Sequence, residues 1–287
     1  MKYRHLPGTD KKASLIALGT AWFGTAIPEK ESFQLMDVFR ANGGNFLDSA
    51  HMYASWVPGG AGKSEITIGK WLKGVDRNSM RIATKGADQG MTRAGIRAQL
   101  QESLDRLGVE RLDFYWLHAD DPQVPVDEIL GWLNELVNEG RMSAFGCSNW
   151  RVPRIQQAMQ YALERKSRGF SASQISWSLG RAKPEVTAGG SQVFMDDATF
   201  SFHVATGLPV VAYSSQAGGF FAGNYDPVDA PAGAKPNPNI VRYYGTEQNY
   251  ARLAIAKKIA ARKGCAPNQV AVAYLLHQPF AGFAIAG

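Results

Sequence analysis

Apolar and polar positions alternate along this chain in two different periods, and the two periods take turns. Short apolar runs at 45–48, 80–85, 112–117, 142–147, 171–175, 208–213 and 282–286 predict buried strands, and Leu15 to Thr20 supplies a candidate first core strand. Between them, helical spacing covers 29–42, 62–73, 92–107, 125–139, 151–168 and 192–206, then 247–263 and 267–277. Local punctuation agrees with these limits. Gly43-Gly44 stops the first helix, Thr92 is placed to cap the third, Gly140 ends the fourth, and Pro153 sits in the first turn of the fifth, where its missing N–H costs nothing. Residues 2–6 and 12–18 flank the turn sequence Pro7-Gly8-Thr9-Asp10, which predicts a β-hairpin ahead of the main fold. The Gly- and Pro-rich stretch 216–246 reads as a long loop.

Strict strand–helix alternation argues a parallel sheet, and eight such units argue an α/β fold closed into a (β/α)8 TIM barrel. No Gly-x-Gly-x-x-Gly follows a strand, which counts against a Rossmann sheet. A barrel of this kind accounts for the whole of 1–287 as a single domain, and 45% hydrophobic residues suffice for one large core.

Charge and cysteine content narrow the function classes. The net charge of +6 is spread without basic runs, so nucleic acid is not the expected partner. Two cysteines, Cys147 and Cys265, lie outside any C-x-x-C or His-rich setting, which predicts a reduced cytoplasmic protein with neither a disulfide framework nor a metal site. No apolar stretch reaches the ~18 residues of a membrane span, and the N-terminus has no signal-peptide core.

In a barrel the C-terminal strand ends form one face, and active sites are built there. Three strands end on that face in chemically loaded residues: Asp48, Lys85 and His118, with Tyr53 in the loop just past the first. An acid at a strand end is, alone, more often a loop acid or a helix cap, and a lone histidine is more often structural. Together the four make a different case. A phenol titrates near 10 and is a poor acid or base at neutrality. An ammonium beside it favours the phenolate, and a carboxylate fixes that ammonium. Asp48, Lys85 and Tyr53 supply that chain, and His118 is placed to orient a substrate carbonyl. The chemistry suited to the set is carbonyl reduction by hydride with Tyr53 as general acid/base.

These residues carry a resemblance to the aldo-keto reductases that runs nearly end to end. Asp48-Ser49-Ala50-His51-Met52-Tyr53 resembles the family's Asp-x-Ala-x-x-Tyr, and Gly62-Lys63-Ser64-Glu65 its Gly-x-Ser-Glu. Thr84-Lys85 and Leu117-His118 match the catalytic lysine and histidine positions. The resemblance implies an NAD(P)H-dependent oxidoreductase, with NADPH more often the cofactor than NADH, acting on a small carbonyl or alcohol substrate without a metal. It further implies that Ser148, Asn149 and Gln174 hold the nicotinamide carboxamide and that Tyr213 stacks on the ring. Ser214, Ser215, Gln216, Ala217 and Gly218 then fall at the pyrophosphate, and Thr20, Ala21, Trp22 and Asp48 complete the cofactor contacts. Family members usually continue past the eighth strand with a loop that grips the adenosine and any 2′-phosphate. This sequence ends at Gly287, so the expectation is a domain cut short after that strand, with the choice between NADP and NAD left open.

Several readings remain beside this one. Trp22, Trp56, Trp150 and Trp177 lie on the expected active face; with Tyr53 and His118, the first three are candidate substrate contacts for a sugar-derived or aryl carbonyl. His51 is incidental or faces substrate, Asp120 and Asp121 are loop acids, and Cys147 is a buried inert thiol. The alternatives in function are a cofactor-binding regulatory subunit with slow turnover, and a Schiff-base aldolase or lyase using Lys85.

Overall fold

The hairpin forms where the turn sequence puts it. β1 (Tyr3–His5) and β2 (Lys12–Ser14) pair antiparallel, with Tyr3 opposite Ser14. β3 (Ile16–Gly19) follows, then α1 (Glu29–Ala41), whose first turn carries Glu29 and Glu31 and whose last carries Arg40, each complementing the helix dipole. The computed structural model describes residues 1–88, 90–225 and 236–287.

The chain divides into two compact units, residues 1–174 with Gly287, and residues 175–286. In the first, β4 (Phe46–Asp48), α2 (Lys63–Leu72), β5 (Arg81–Gly86), α3 (Arg93–Leu107), β6 (Leu112–Leu117), α4 (Val126–Asn138), β7 (Met142–Ser148) and α5 (Val152–Arg165) alternate as expected. Every residue of β6 and β7 is buried, which is why these strands appear in the sequence as unbroken runs rather than alternating ones. Thr92 caps α3, its Oγ1 accepting from the Gly95 N–H at 3.0 Å.

Under the barrel, Asp113 is a buried carboxylate with a full set of donors. Arg77 (2.7 Å), the Ile82 N–H (2.8 Å) and Lys11 (3.0 Å) all reach it. Burial pushes its carboxyl up, but the Arg77 charge and these hydrogen bonds outweigh burial and hold it below the usual range. A depressed folded-state value stabilises the protein above the unfolded value of about 3.9, and that contribution is lost as pH falls through the folded one. Asp113→Asn is therefore expected to cost about 1.5–3 kcal/mol at neutral pH and to flatten the fall in stability below about pH 4. Urea unfolding at a series of pH values checks both.

The second unit opens inside β8 (Ser173–Ser176) and continues with α6 (Pro184–Thr187), α7 (Asp197–Thr206), β9 (Val210–Tyr213), α8 (Pro238–Tyr244), α9 (Glu247–Lys263), α10 (Pro267–Leu276) and β10 (Gly282–Ala286). The stretch 216–246 is not the plain loop its composition suggests: residues 217–222 form 3-10 turns, and α8 follows Asn237, whose side chain accepts from the Asn239 N–H. Residues 226–235 of that stretch lie outside the described residues. β9 and β10 pair in parallel, and the eight strands order as β10-β3-β4-β5-β6-β7-β8-β9 in a closed parallel barrel. No helix among the described residues is long and apolar enough to cross a membrane.

Candidate active site

The parallel register brings the strand ends level. Asp48 stands opposite Ala83, and Lys85 opposite Trp116, so the residues just past β4, β5 and β6 share one end of the first unit. Lys85 occupies the centre. Its ammonium, 2% exposed, pairs with Asp48, donates to the Ser49 carbonyl at 2.8 Å and donates to the Tyr53 hydroxyl oxygen at 3.0 Å. It also lies over the Tyr53 ring, 4.7 Å from the centroid. The His118 ring faces Tyr53 edge-on at 6.1 Å. All four expected residues therefore meet.

The scaffold behind them uses residues whose role the sequence left unassigned. Ser64 donates to the Thr20 carbonyl at 2.7 Å and bonds the hydroxyls of Thr20 and Ser49 at 2.9 Å. Glu65, fully buried, accepts from Thr84 at 2.6 Å and from Arg106 at 3.2 Å. The Gly-Lys-Ser-Glu motif thus ties the ends of β3, β4 and β5 together. Gly86 is there for space: a Cβ would stand 2.1 Å from the Tyr115 hydroxyl.

Burial and charge set the protonation states. Burial deprives the Tyr53 phenolate of water and raises its pKa; Lys85 opposes this, Asp48 adds to it, and the net direction is upward. The expected downward tuning by Lys85 is thus outweighed, and the phenol keeps its proton at neutral pH. Burial works against the Lys85 charge, yet Asp48 first and Tyr53 second hold it above its ordinary value.

Beside the four lie the residues assigned to a nicotinamide. Ser148 and Gln174 are buried, and Asn149 adopts φ +60° and donates to the His118 carbonyl at 3.2 Å. Gln174 Nε2 donates to Asp48 Oδ1 at 3.0 Å, which fixes the amide and leaves Oε1 buried without a hydrogen-bond partner among the described residues. A buried acceptor held in that way fits a carboxamide N–H. Thr20 is already engaged, its hydroxyl donating to the Asp48 carbonyl at 3.0 Å; Ala21 is partly exposed and Trp22 exposed. In the second unit, Tyr213 ends β9, and Ser214, Ala217, Gly218 and Gly219 all have positive φ, between +51° and +87°. Ser215 donates to the Ile285 carbonyl at 2.6 Å, and Gln216 accepts from Asn268 at 3.1 Å.

The aromatic residues sort differently from expectation. Trp22 and Trp56 are 47% and 48% exposed and meet edge to face at 5.4 Å, with Trp56 6.2 Å from Tyr53. Trp150 is corrected: at 1% exposure, its indole N–H donates to the Ala119 carbonyl, and its ring packs on Phe170 and under Arg154. It has no face left for a substrate. Trp177 is likewise a core residue, packed on Phe280 and Phe200.

His51 is structural, its Nε2 2.8 Å from Glu102. Asp120 is gripped by Arg154, and burial pushes the Cys147 thiol up, away from reactivity. One residue at the site escaped the sequence reading. Asp88 Oδ1 stands 2.7 Å from His118 Nδ1. The register was the available signal, since Gly86 pairs with Leu117 and the residues just beyond each are neighbours.

Known proteins are similar to this chain in sequence and in fold. The chain is 30% identical over 277 residues to the aldo-keto reductase str7 of Strobilurus tenacellus, covering 90% of this chain and 73% of that protein. It is 31% identical over 239 residues to the uncharacterized oxidoreductase YrpG of Bacillus subtilis (strain 168), covering 78% of this chain and 69% of that one. Its fold is similar to that of the thermostable aldo-keto reductase Tm1743, crystallised with the inhibitor epalrestat, with a TM-score of 0.74 over 100% of this chain and 90% of the other at 22% identity. The model of the Aldo/keto reductase family matches residues 15–287, and on that match the chain belongs to this family of oxidoreductases, whose members generally use NAD(P)H.

Proposed function

We propose that the protein is a cytoplasmic NAD(P)H-dependent oxidoreductase that interconverts an aldehyde or ketone, sugar-derived or aryl, and the corresponding alcohol. The observation that carries this reading is the Lys85 ammonium bonded at once to Asp48, the Ser49 carbonyl and the Tyr53 hydroxyl oxygen. With Lys85 donating to the phenol oxygen, the phenol's own proton is directed away from Lys85. A bound nicotinamide, held by Ser148, Asn149 and the orphaned Gln174 Oε1, would supply the hydride to the carbonyl carbon. Tyr53 gives its proton to the carbonyl oxygen, and Lys85 stabilises the charge left on the phenol oxygen. Asp48 keeps Lys85 charged and in place, while His118 orients the carbonyl. Tyr213 and residues 214–218 are assigned to the same cofactor, and the exposed Trp22–Trp56 pair to the substrate. A Schiff-base lysine needs a neutral amine; the environment of Lys85 favours the ammonium.

The test is a fluorescence titration with NADPH and with NADH, followed by steady-state reduction of 4-nitrobenzaldehyde. We expect NADPH to bind with a Kd at or below about 10 μM, on the order of −7 kcal/mol, and turnover to continue far beyond one cofactor equivalent. Binding without turnover would favour a regulatory subunit, and binding of neither nucleotide would defeat the reading.

A further inference from the structure

We propose that Asp88 is a positioning residue that holds the proton on Nδ1 of His118, so that Nε2 is the ring nitrogen left to meet the substrate oxygen. The inference deepens the reductase reading and rests on it. His118 Nδ1 and Asp88 Oδ1 are 2.7 Å apart, with the two side chains 18% and 10% exposed. Neither His118 Nδ1 nor Asp88 Oδ2 has an aligned hydrogen-bond partner among the described residues, and both atoms are buried. A carboxylate accepts only, so a nitrogen at this distance is favoured with its hydrogen on. The present alignment is imperfect, as catalytic hydrogen bonds often are before substrate arrives.

The chain bends sharply just before this contact. Ala87, between the end of β5 and Asp88, has φ +68°, in the left-handed region that a residue with a Cβ adopts reluctantly, although it is buried. The Asp88 N–H is given to Gln99 Oε1 at 3.3 Å, and the His118 N–H to the Gly86 carbonyl at 2.9 Å, so both backbones are fixed independently of the side-chain contact. Among the described residues, the Tyr53 ring meets the His118 ring edge-on, and Lys85 is bonded to Tyr53.

The consequence is a division of labour between the two ring nitrogens. With Nδ1 protonated in the neutral ring, Nε2 is the acceptor and takes a hydrogen bond from an alcohol hydroxyl. The ring then orients the alcohol partner of the reversible reaction by a single, fixed acceptor. The same carboxylate-on-imidazole logic sets the tautomer in hydrolase triads.

The experiment uses the full chain labelled with nitrogen-15, and reads the five histidine rings by long-range proton–nitrogen correlation, with His118→Gln to assign the ring. We expect Nδ1 of His118 to be protonated in the native protein, and Asp88→Ala and Asp88→Asn to shift the ring toward the Nε2–H tautomer. With NADP+ and 4-nitrobenzyl alcohol, both variants should lose about tenfold to a hundredfold in kcat, as removal of an imidazole's carboxylate partner does elsewhere, because an Nε2–H ring cannot accept from the hydroxyl, with NADPH affinity unchanged. In a His118→Gln background the same substitutions should change kcat by under about twofold, since the effect runs through His118. A native ring protonated at Nε2 alone, or an undiminished further loss in the His118→Gln background, overturns the proposal. If the native protein reduces no carbonyl, the reductase reading fails, and the ring tautomer still decides the role of Asp88.

Discussion

Tyr53→Phe is expected to lower kcat by about 10²- to 10⁴-fold, the range that a positioned general acid supplies, while the NADPH titration stays within about twofold of native. The substitution is a narrow one. Phenylalanine keeps the ring that packs against Trp56 and lies beneath Lys85, and deletes only the hydroxyl. Lys85 loses one of three acceptors and keeps Asp48 and the Ser49 carbonyl, so stability should drop by only about 1 kcal/mol. The proton required by the carbonyl oxygen then has no donor on the protein at that point. Because burial holds the Tyr53 phenol above its ordinary value, the native enzyme carries that proton at neutral pH. Single-turnover hydride transfer, followed by the loss of NADPH absorbance, separates this defect from slow product release. Equal losses in binding and turnover would mean that Tyr53 is a structural tyrosine and that the acid lies elsewhere.

Much of the architecture was legible because strands buried on both faces leave an unmistakable mark. Leu112–Leu117 was delimited to the residue, as six consecutive buried positions leave no alternation to misread. The segment 217–222 was not, because its turns depend on positive φ at Gly218 and Gly219, and glycine-rich composition reads equally as loop. Pro238 at the first position of a helix was the overlooked signal for α8. The four candidate residues were legible for a topological reason, since a parallel barrel converts separate strand ends into one face. What the topology does not fix is which way a side chain turns once past the strand. Trp150 turned inward and spent its N–H on the Ala119 carbonyl, whereas Trp56 stayed at the surface. Nor does a list of charges near Tyr53 reveal that burial outweighs the nearest one.

Asp48→Ala is expected to cost about 3–5 kcal/mol of stability as well as most of the activity, because it leaves the Lys85 ammonium buried without its counter-charge. One more group loses its partner at once. Gln174 Nε2 gives up its 3.0 Å acceptor, and the amide whose Oε1 is proposed to meet the nicotinamide is no longer fixed. A weaker hold on NADPH should therefore accompany the loss of stability, in contrast to Tyr53→Phe. The energetics of the pair are separable with a second substitution. Asp48→Leu with Lys85→Met removes both charges and fills the space with apolar groups, and buried pairs replaced in this way are often neutral or better. The double variant should thus be more stable than Asp48→Ala by about 2–4 kcal/mol and still inactive. Urea unfolding of the three proteins measures this directly. A loss below about 1 kcal/mol for Asp48→Ala would mean that water reaches Lys85 and that the pair behaves as a surface one. An inactive double variant with restored stability would mean that the buried Asp48–Lys85 pair is kept for its chemistry at Tyr53 and not for the fold.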